Sequence, residues 1–337
     1  MRAVANLPDS DRQELFRNTA NRMGLPDAIV EKDFWVCFTL DHLFHHSQWK
    51  NSISFKGGTS LSKAFHLINR FSEDIDIILD WRVLGYEREE PWMERSKSKQ
   101  DVFNKEANFR AEKFLSENFC PEIKRGLSEV LGKQVEVSID ETDKQTVNFV
   151  YPRLYTNKST LQFIRLEIGA LAAWTPARIA QISSYAAETY PDVFNQYSTK
   201  ILTVVSERTF WEKATILHHE ANRPEHLAMP LRYSRHFYDL ACMAKSEVKD
   251  RAFSRLGLLQ KVVDFKMKFY PRSWAKYEEA VPGTIKLYPP DNRITGLKSD
   301  YQVMKDMLFG NKPEFEEIMK TVQELEREIN SLPMIAK

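Results

Sequence analysis

The stretch FKGGTSLSKAFHLINRFSEDIDIIL, residues 55–79, limits the fold more than any other part of the chain. A short run, SISF (52–55), ends at Gly57–Gly58 and reads as a strand entering a tight turn. From Ser60, the apolar residues Leu61, Ala64, Phe65 and Ile68 recur at helical spacing. DIDIIL (74–79) then reads as a second strand. Successive side chains of a strand point to opposite faces, so Asp74 and Asp76 share one face, about 6.5 Å apart at Cα. Ile75 and Ile77 point the other way, into a core. Strand, glycine turn, helix and acidic strand in succession predict an α/β fold.

Aspartate is depleted in strands, and two carboxylates this close repel unless something positive lies between them. Mg²⁺, or Mn²⁺ in its place, prefers carboxylate, water and phosphate oxygens, which makes the pair a metal and polyphosphate candidate. The plain alternative is an edge strand with its aspartates in water. KGGTSLSK lacks the Gly-Lys-Ser/Thr ending of a Walker A loop. Its glycines still let backbone approach a phosphate, and a helix start offers N–H groups to an anion. Lys56, Gly57, Gly58, Thr59, Ser60 and Lys63 are therefore the nucleotide-binding candidates around the turn, with Thr59 or Ser60 suited to the N-cap. Taken alone, the turn is as well explained by a capped helix start without a ligand.

At 337 residues the chain is long enough for two domains, or for one core with a large helical extension. Its net charge of +1 supplies no global field for nucleic acid or an acidic membrane, so any basic surface is local. Cys37, Cys120 and Cys242 are too few and too scattered for a disulfide framework, and a reducing cytoplasm is the expected location. MRAVANLPDSDRQELF has no apolar run of a secretory signal, and no segment reaches the roughly 20 apolar residues of a membrane span.

Helices are expected from Pro8–Asp9 and from Pro26–Asp27, the second burying a face of Ile29, Val30, Val36, Cys37, Leu40, Leu43 and Phe44. Residues 87–131 read as two charged helices meeting near Pro121. Alternation at 135–139 and 147–151, with LQFIRLEIGAL (161–171), predicts three more strands. After Pro176 the chain is expected to be helical, apart from a loop at 282–296. The predicted division is an α/β half, 1–200, and a helical half, 201–337. QKVVDFKMKFYPRSWAKY (260–277) interleaves cations with aromatics, which suits RNA backbone and base stacking, though an amphipathic helix end explains it equally well. His42, His45, His46 and the HHE at 218–220 lack zinc-ligand spacing and read as ordinary histidines.

A glycine turn on a helix start, joined by one helix to a D-x-D strand, resembles the DNA-polymerase-beta-like nucleotidyltransferases. EKDFWV (31–36), FKGGTSLSKAF, RFSEDIDI, IRLEIGA, FWEKATILH and RHFYDL resemble, more narrowly, the AbiEii/AbiGii toxin nucleotidyltransferases. The resemblance implies a polymerase-beta-like core with a mixed sheet and a helical C-terminal half completing the active-site cleft. It implies metal on Asp74 and Asp76, and a third acid on a neighbouring strand. Glu167 answers that need, sharing a face with Phe163 and Arg165, although an Arg–Glu ladder on a wet strand face is the plain reading of the same pattern. It also implies that Lys213, in SERTFWEKATIL, faces the triphosphate and that Asp239, ending RHFYD, is functional, with Arg235 one turn before it. Asp74, Asp76, Glu167, Lys213 and Asp239 are thus the catalytic candidates.

The implied activity is transfer of a nucleotide from an NTP to an RNA acceptor, as a toxin paired with a cognate antitoxin or serving phage defence; known members of the family modify the 3′ end of tRNA. A small-molecule acceptor of the aminoglycoside type is the alternative within the enzyme class. A catalytically idle module binding RNA or protein in the same cleft is the alternative outside it.

Overall fold

The computed structural model describes residues 1–156, 161–171 and 176–333, the side chain of residue 306 excepted. Contacts divide the chain into two compact units: 1–64 with 72–204, and 65–71 with 205–337.

The first unit holds α1 (Arg2–Ala5), α2 (Asp9–Met23), α3 (Asp27–Asp41), β1 (Ile53–Lys56), α4 (Gly57–Lys63), β2 (Asp74–Leu79), α5 (Lys97–Phe114), α6 (Cys120–Leu131), β3 (Glu136–Ile139), β4 (Thr146–Val150), β5 (Ile164–Gly169), β6 (Ala177–Ser183), α7 (Tyr185–Thr189) and β7 (Ser198–Val204). Its seven strands form one sheet in the order β3-β4-β5-β2-β1-β7-β6. The sheet is mixed: β2 runs parallel to β5 and β1 to β7, and the other pairs are antiparallel. Alternation on β2 and β5 sends Ile75, Ile77, Leu166 and Ile168 into the core and leaves Asp74, Asp76 and Glu167 half-buried on the other face.

Helix α3 packs against β5 and β7 and is buried nearly all round, not along one face. Its three buried charged residues, Glu31, Lys32 and Asp33, are matched one by one. Glu31 accepts from the backbone N–H groups of Leu154 (2.7 Å) and Tyr155 (3.0 Å). Lys32 pairs with Glu73 and donates to the Leu161 carbonyl. Asp33 pairs with Lys63 at 2.8 Å and accepts from the Tyr185 N–H. A buried charge is tolerated only with such partners, so EKD in EKDFWV acts as a framework of the core.

The second unit holds α8 (Ser206–Ala221), α9 (Ser234–Ala244), α10 (Val248–Phe253), α11 (Leu256–Phe269), α12 (Asp291–Met304) and α13 (Phe315–Asn330). α8 packs on α9, α10 and α11, while α9 packs on α12 and α13. Phe315, Ile318, Met319, Val322, Leu325 and Ile329 give α13 one continuous apolar stripe. Residues 65–71 lie among these helices. The Phe71 N–H donates to the Met307 carbonyl (2.9 Å) and the Phe309 N–H to the Asn69 carbonyl (3.0 Å). The segment between the glycine turn and the D-x-D strand thus clusters with the second unit.

Three expectations need correction. The region after Pro176 is not wholly helical, because β6 and β7 form one end of the sheet. STKILTV does alternate, burying Thr199, Ile201 and Thr203, but its outer Lys200 and Leu202 are exposed and dilute the signal. The break expected near residue 200 falls inside β7. The irregular segment at 282–296 is shorter than expected, since α12 begins at Asp291 behind Pro290.

Candidate active site

The acidic face of the sheet is built from register. Asp76 on β2 lies directly opposite Glu167 on β5 and, on its other side, opposite Lys56 on β1. Glu167 in turn faces Thr146 on β4. Neighbouring strands are about 4.8 Å apart, so Lys56, Asp76, Glu167 and Thr146 form one row across four strands. Two residues along, Asp74 stands opposite Arg165. Arg165 also reaches Glu167, with 3.3 Å between charged atoms. Glu167 therefore stands in register beside Asp76, with the Arg165 guanidinium at hand.

Gly57 is the hinge of this arrangement. Its φ is +81°, in the region that favours glycine. A Cβ at this position would fall 1.8 Å from Oδ2 of Asp76, so the carboxylate occupies the space any other residue would fill. Gly57→Ala is expected to force Asp76 aside and to cost about 1–3 kcal/mol for the strained conformation. Chemical melts would show the stability loss, and transfer assays should show a fall of at least ~10²-fold, since about 1 Å of displacement can cost that much.

Neither Thr59 nor Ser60 caps α4. The helix starts at Gly57, its N-cap residue is Lys56, and no side chain caps it. Thr59 and Ser60 are fully buried. The Thr59 hydroxyl donates to the Asp74 carbonyl, and the Ser60 hydroxyl to the Gly57 carbonyl at 2.8 Å. These hydroxyls brace the turn against the acidic strand. Lys63 is buried too; its ammonium pairs with Asp33 and lies 3.8 Å from the centre of the Tyr185 ring. Lys56, Gly57 and Gly58 are half-buried, so they are the more accessible residues of the turn.

The second unit carries its own charged cluster. Asp239, fully buried on α9, accepts from Arg70 Nε (2.7 Å) and Nη2 (2.9 Å) in a two-pronged pair, and from Lys213 Nζ on α8 at 2.8 Å. Burial alone would raise the Asp239 carboxyl's pKa, but Arg70 and Lys213 hold it far below the ordinary carboxylate range. Burial lowers the Lys213 ammonium's pKa; Asp239 opposes that and Arg70 adds to it. Burial and Lys213 push the His236 imidazole well below its usual value, so the ring is neutral and Nδ1 accepts from Lys213 at 3.1 Å. One anion thus sits among two buried cations, and half-buried Arg235 adds to the positive field at Lys213. Glu207, nearly two turns before Lys213 on α8, is engaged by Arg251 at 2.8 Å.

Arg70 and His236 did not stand out in the sequence. Both lie in stretches with a recognisable pattern, RFSEDIDI and RHFYDL, but nothing in the spacing ties Arg70 to a carboxylate 169 residues away.

The sequence profile of the AbiEii family, described as a nucleotidyltransferase toxin of a type IV toxin–antitoxin system, matches residues 39–321. The chain belongs to the AbiEii family. It is accordingly a nucleotidyltransferase toxin of the type IV class, and that class implies an antitoxin partner. No curated protein matches the chain. Among solved structures, MenT4, a nucleotidyltransferase toxin from Mycobacterium tuberculosis H37Rv, aligns with 99% of this chain and 90% of its own at 16% identity and a TM-score of 0.47. JHP933 from Helicobacter pylori aligns with 89% of this chain and 93% of its own at 14% identity and a TM-score of 0.41. Among the described residues, no helix is long and apolar enough to cross a membrane.

Proposed function

We propose that this AbiEii-family enzyme transfers a nucleoside monophosphate from an NTP to an RNA acceptor, the 3′ end of tRNA, in a metal-dependent reaction. The observation that carries the reading is the row of Asp76 and Glu167 beside Gly57, whose missing side chain makes room for the Asp76 carboxylate. Among the described residues, no group of three or more His, Cys, Asp or Glu side chains stands close enough to hold a metal ion unaided. Mg²⁺ is usually bound through one or two carboxylates with waters and substrate phosphates. An all-oxygen donor set on one face fits the same ion. Mg²⁺, or Mn²⁺ in its place, would be held by Asp74 and Asp76 with Glu167 beside them, and would supply charge neutralisation and activation of the acceptor hydroxyl.

The chain's own contribution is positioning and electrostatics. Lys56 and the backbone of Gly57 and Gly58 offer charge and close approach to phosphate. Thr59 and Ser60 keep that backbone in place from beneath. In the second unit, Lys213 has three donors, two of which go to Asp239 and His236, and Arg235 adds charge for a phosphate there. Asp239 and Arg70 fix the position of the Lys213 ammonium.

Incubation of the purified chain with total RNA and each α-³²P NTP, with Mg²⁺ or with EDTA, tests the reading. Label should enter the tRNA band only with the metal, and sequencing of tRNA 3′ ends should show added nucleotides. Label on small molecules alone would remove the RNA acceptor, and label that persists in EDTA would remove the metal.

A further inference from the structure

We infer that the surface of the second unit around Trp274 is a platform on which a single-stranded segment of the RNA acceptor stacks, an inference that rests on the RNA-acceptor reading above. Between Arg255 and Lys276 the chain carries six lysines and arginines against a single acid, Asp264, although the whole protein is nearly neutral. The basic field is therefore local, as electrostatic capture of a polyanion requires when net charge supplies none.

Within this region Trp274 is half-buried and Tyr270 is 48% exposed. The Trp274 indole lies nearly parallel to His219, with ring centres 4.4 Å apart and planes 19° from each other. The Arg223 guanidinium sits 4.9 Å from the Trp274 ring centre and that of Arg272 5.9 Å away. Glu220 grips Arg223 through two hydrogen bonds, at 2.6 and 2.9 Å, so this cation is held in place. Lys266 lies 5.4 Å from the centre of the Tyr277 ring. Burial, followed by Lys266, Arg223 and Arg272, pushes His219 down to about 3, so the ring beneath Trp274 is an uncharged, flat support in a positive surround.

The platform and the Lys213 cluster share helix α8 of the same unit. His219 lies six residues after Lys213 on α8. His236, which accepts from Lys213, meets the Tyr233 ring edge-on with centres 4.8 Å apart. Burial and Glu220 raise the Tyr233 hydroxyl's pKa, and Arg223, Arg235 and Arg272 pull it down. Lys213, His236 and Tyr233 thus form one chain of contacts, and Arg223 and Arg272, the two cations at Trp274, also act on Tyr233. An acidic peptide would use the cations but gain little from a supported indole. A strand of RNA uses both, since every base has a face to stack and every phosphate a charge.

The test is fluorescence anisotropy of a labelled single-stranded RNA oligonucleotide with the full chain, without NTP, over a range of salt. Trp274→Ala should weaken binding about 10-fold, within the range for loss of one stacked base, and Trp274→Phe should restore most of it. Arg272→Glu, at an exposed position, should weaken binding and reduce the log–log salt slope by about one. RNA binding that is equal in all variants would overturn the platform while leaving the RNA acceptor intact. A chain that labels RNA but shows no salt-dependent RNA affinity would overturn it too. A chain that neither binds nor labels RNA would remove the acceptor reading itself, and an acidic protein bound through the same residues in place of RNA would reassign the surface.

Discussion

Replacing Asp76 with alanine is expected to abolish nucleotide transfer, a fall of at least ~10³-fold, while the protein stays folded. The size follows from the several kcal/mol of charge stabilisation that a bound divalent ion contributes, at about 1.36 kcal/mol per tenfold in rate. Asp76 is the centre of the row, with Glu167 on one side and Lys56 on the other. No neighbour can take its place, because Asp74 and Glu167 project from different positions of the same face. Stability should change by no more than about 1 kcal/mol, because the side chain is half-buried. Transfer from an α-³²P NTP reads the first effect and a urea melt the second. Full activity in the alanine variant would end the metal-site reading. A collapse in stability would show that Asp76 holds the sheet together and does not serve chemistry.

Asp239→Asn is expected to be as damaging for the opposite reason. It leaves Arg70 and Lys213 as adjacent buried cations without their anion. Breaking a buried pair typically costs about 3–5 kcal/mol, and the Arg70–Asp239 pair is buried on both sides. Activity should fall as well, because Lys213 loses the partner that orients it. A triple variant, Arg70→Met with Lys213→Met and Asp239→Leu, should recover much of the stability and none of the activity, since an apolar set has no orphan charge.

The pH dependence gives an independent sign. Asp239 titrates far below the unfolded value of 3.8, so its stabilisation is fully present above about pH 4 and is lost as pH falls further. The stability gap between the wild-type chain and Asp239→Asn should therefore be constant from pH 7 to 5 and shrink below pH 4. Urea melts at pH 7, 5 and 3.5 would measure it. A gap that widened on acidification would mean that Asp239 is already protonated in the folded protein.

Much of the acidic site was legible because its code is local. β2 spans Asp74–Leu79, as the period-two pattern predicts, and the same period puts Asp74 and Asp76 on one face. The helices at 9 and 27 begin behind their prolines as expected, and Pro121 lies in the first turn of α6. The turn after β1 was legible as glycine, but the reason for glycine at 57 was not. That reason is the Asp76 carboxylate, placed by antiparallel pairing of β1 and β2. Lys63 and Thr59 looked like ligands because their types suit phosphate; burial against Asp33 and the Asp74 carbonyl is a tertiary fact. Strands β6 and β7 were missed because a strand at one end of the sheet keeps exposed apolar residues, such as Ile179, that blur the alternation.

The amino-acid order by itself determined the glycine turn, the acidic pair on one strand face and the kinship carried by its motifs. Each depends on interactions within a few residues, where backbone geometry repeats every two or 3.6 positions. Only the tertiary structure decided that Glu167 stands level with Asp76, that residues 65–71 belong with the helical unit and that Arg70 grips Asp239. Which buried charge meets which depends on how distant segments pack, and an ion pair leaves no periodic trace along a chain.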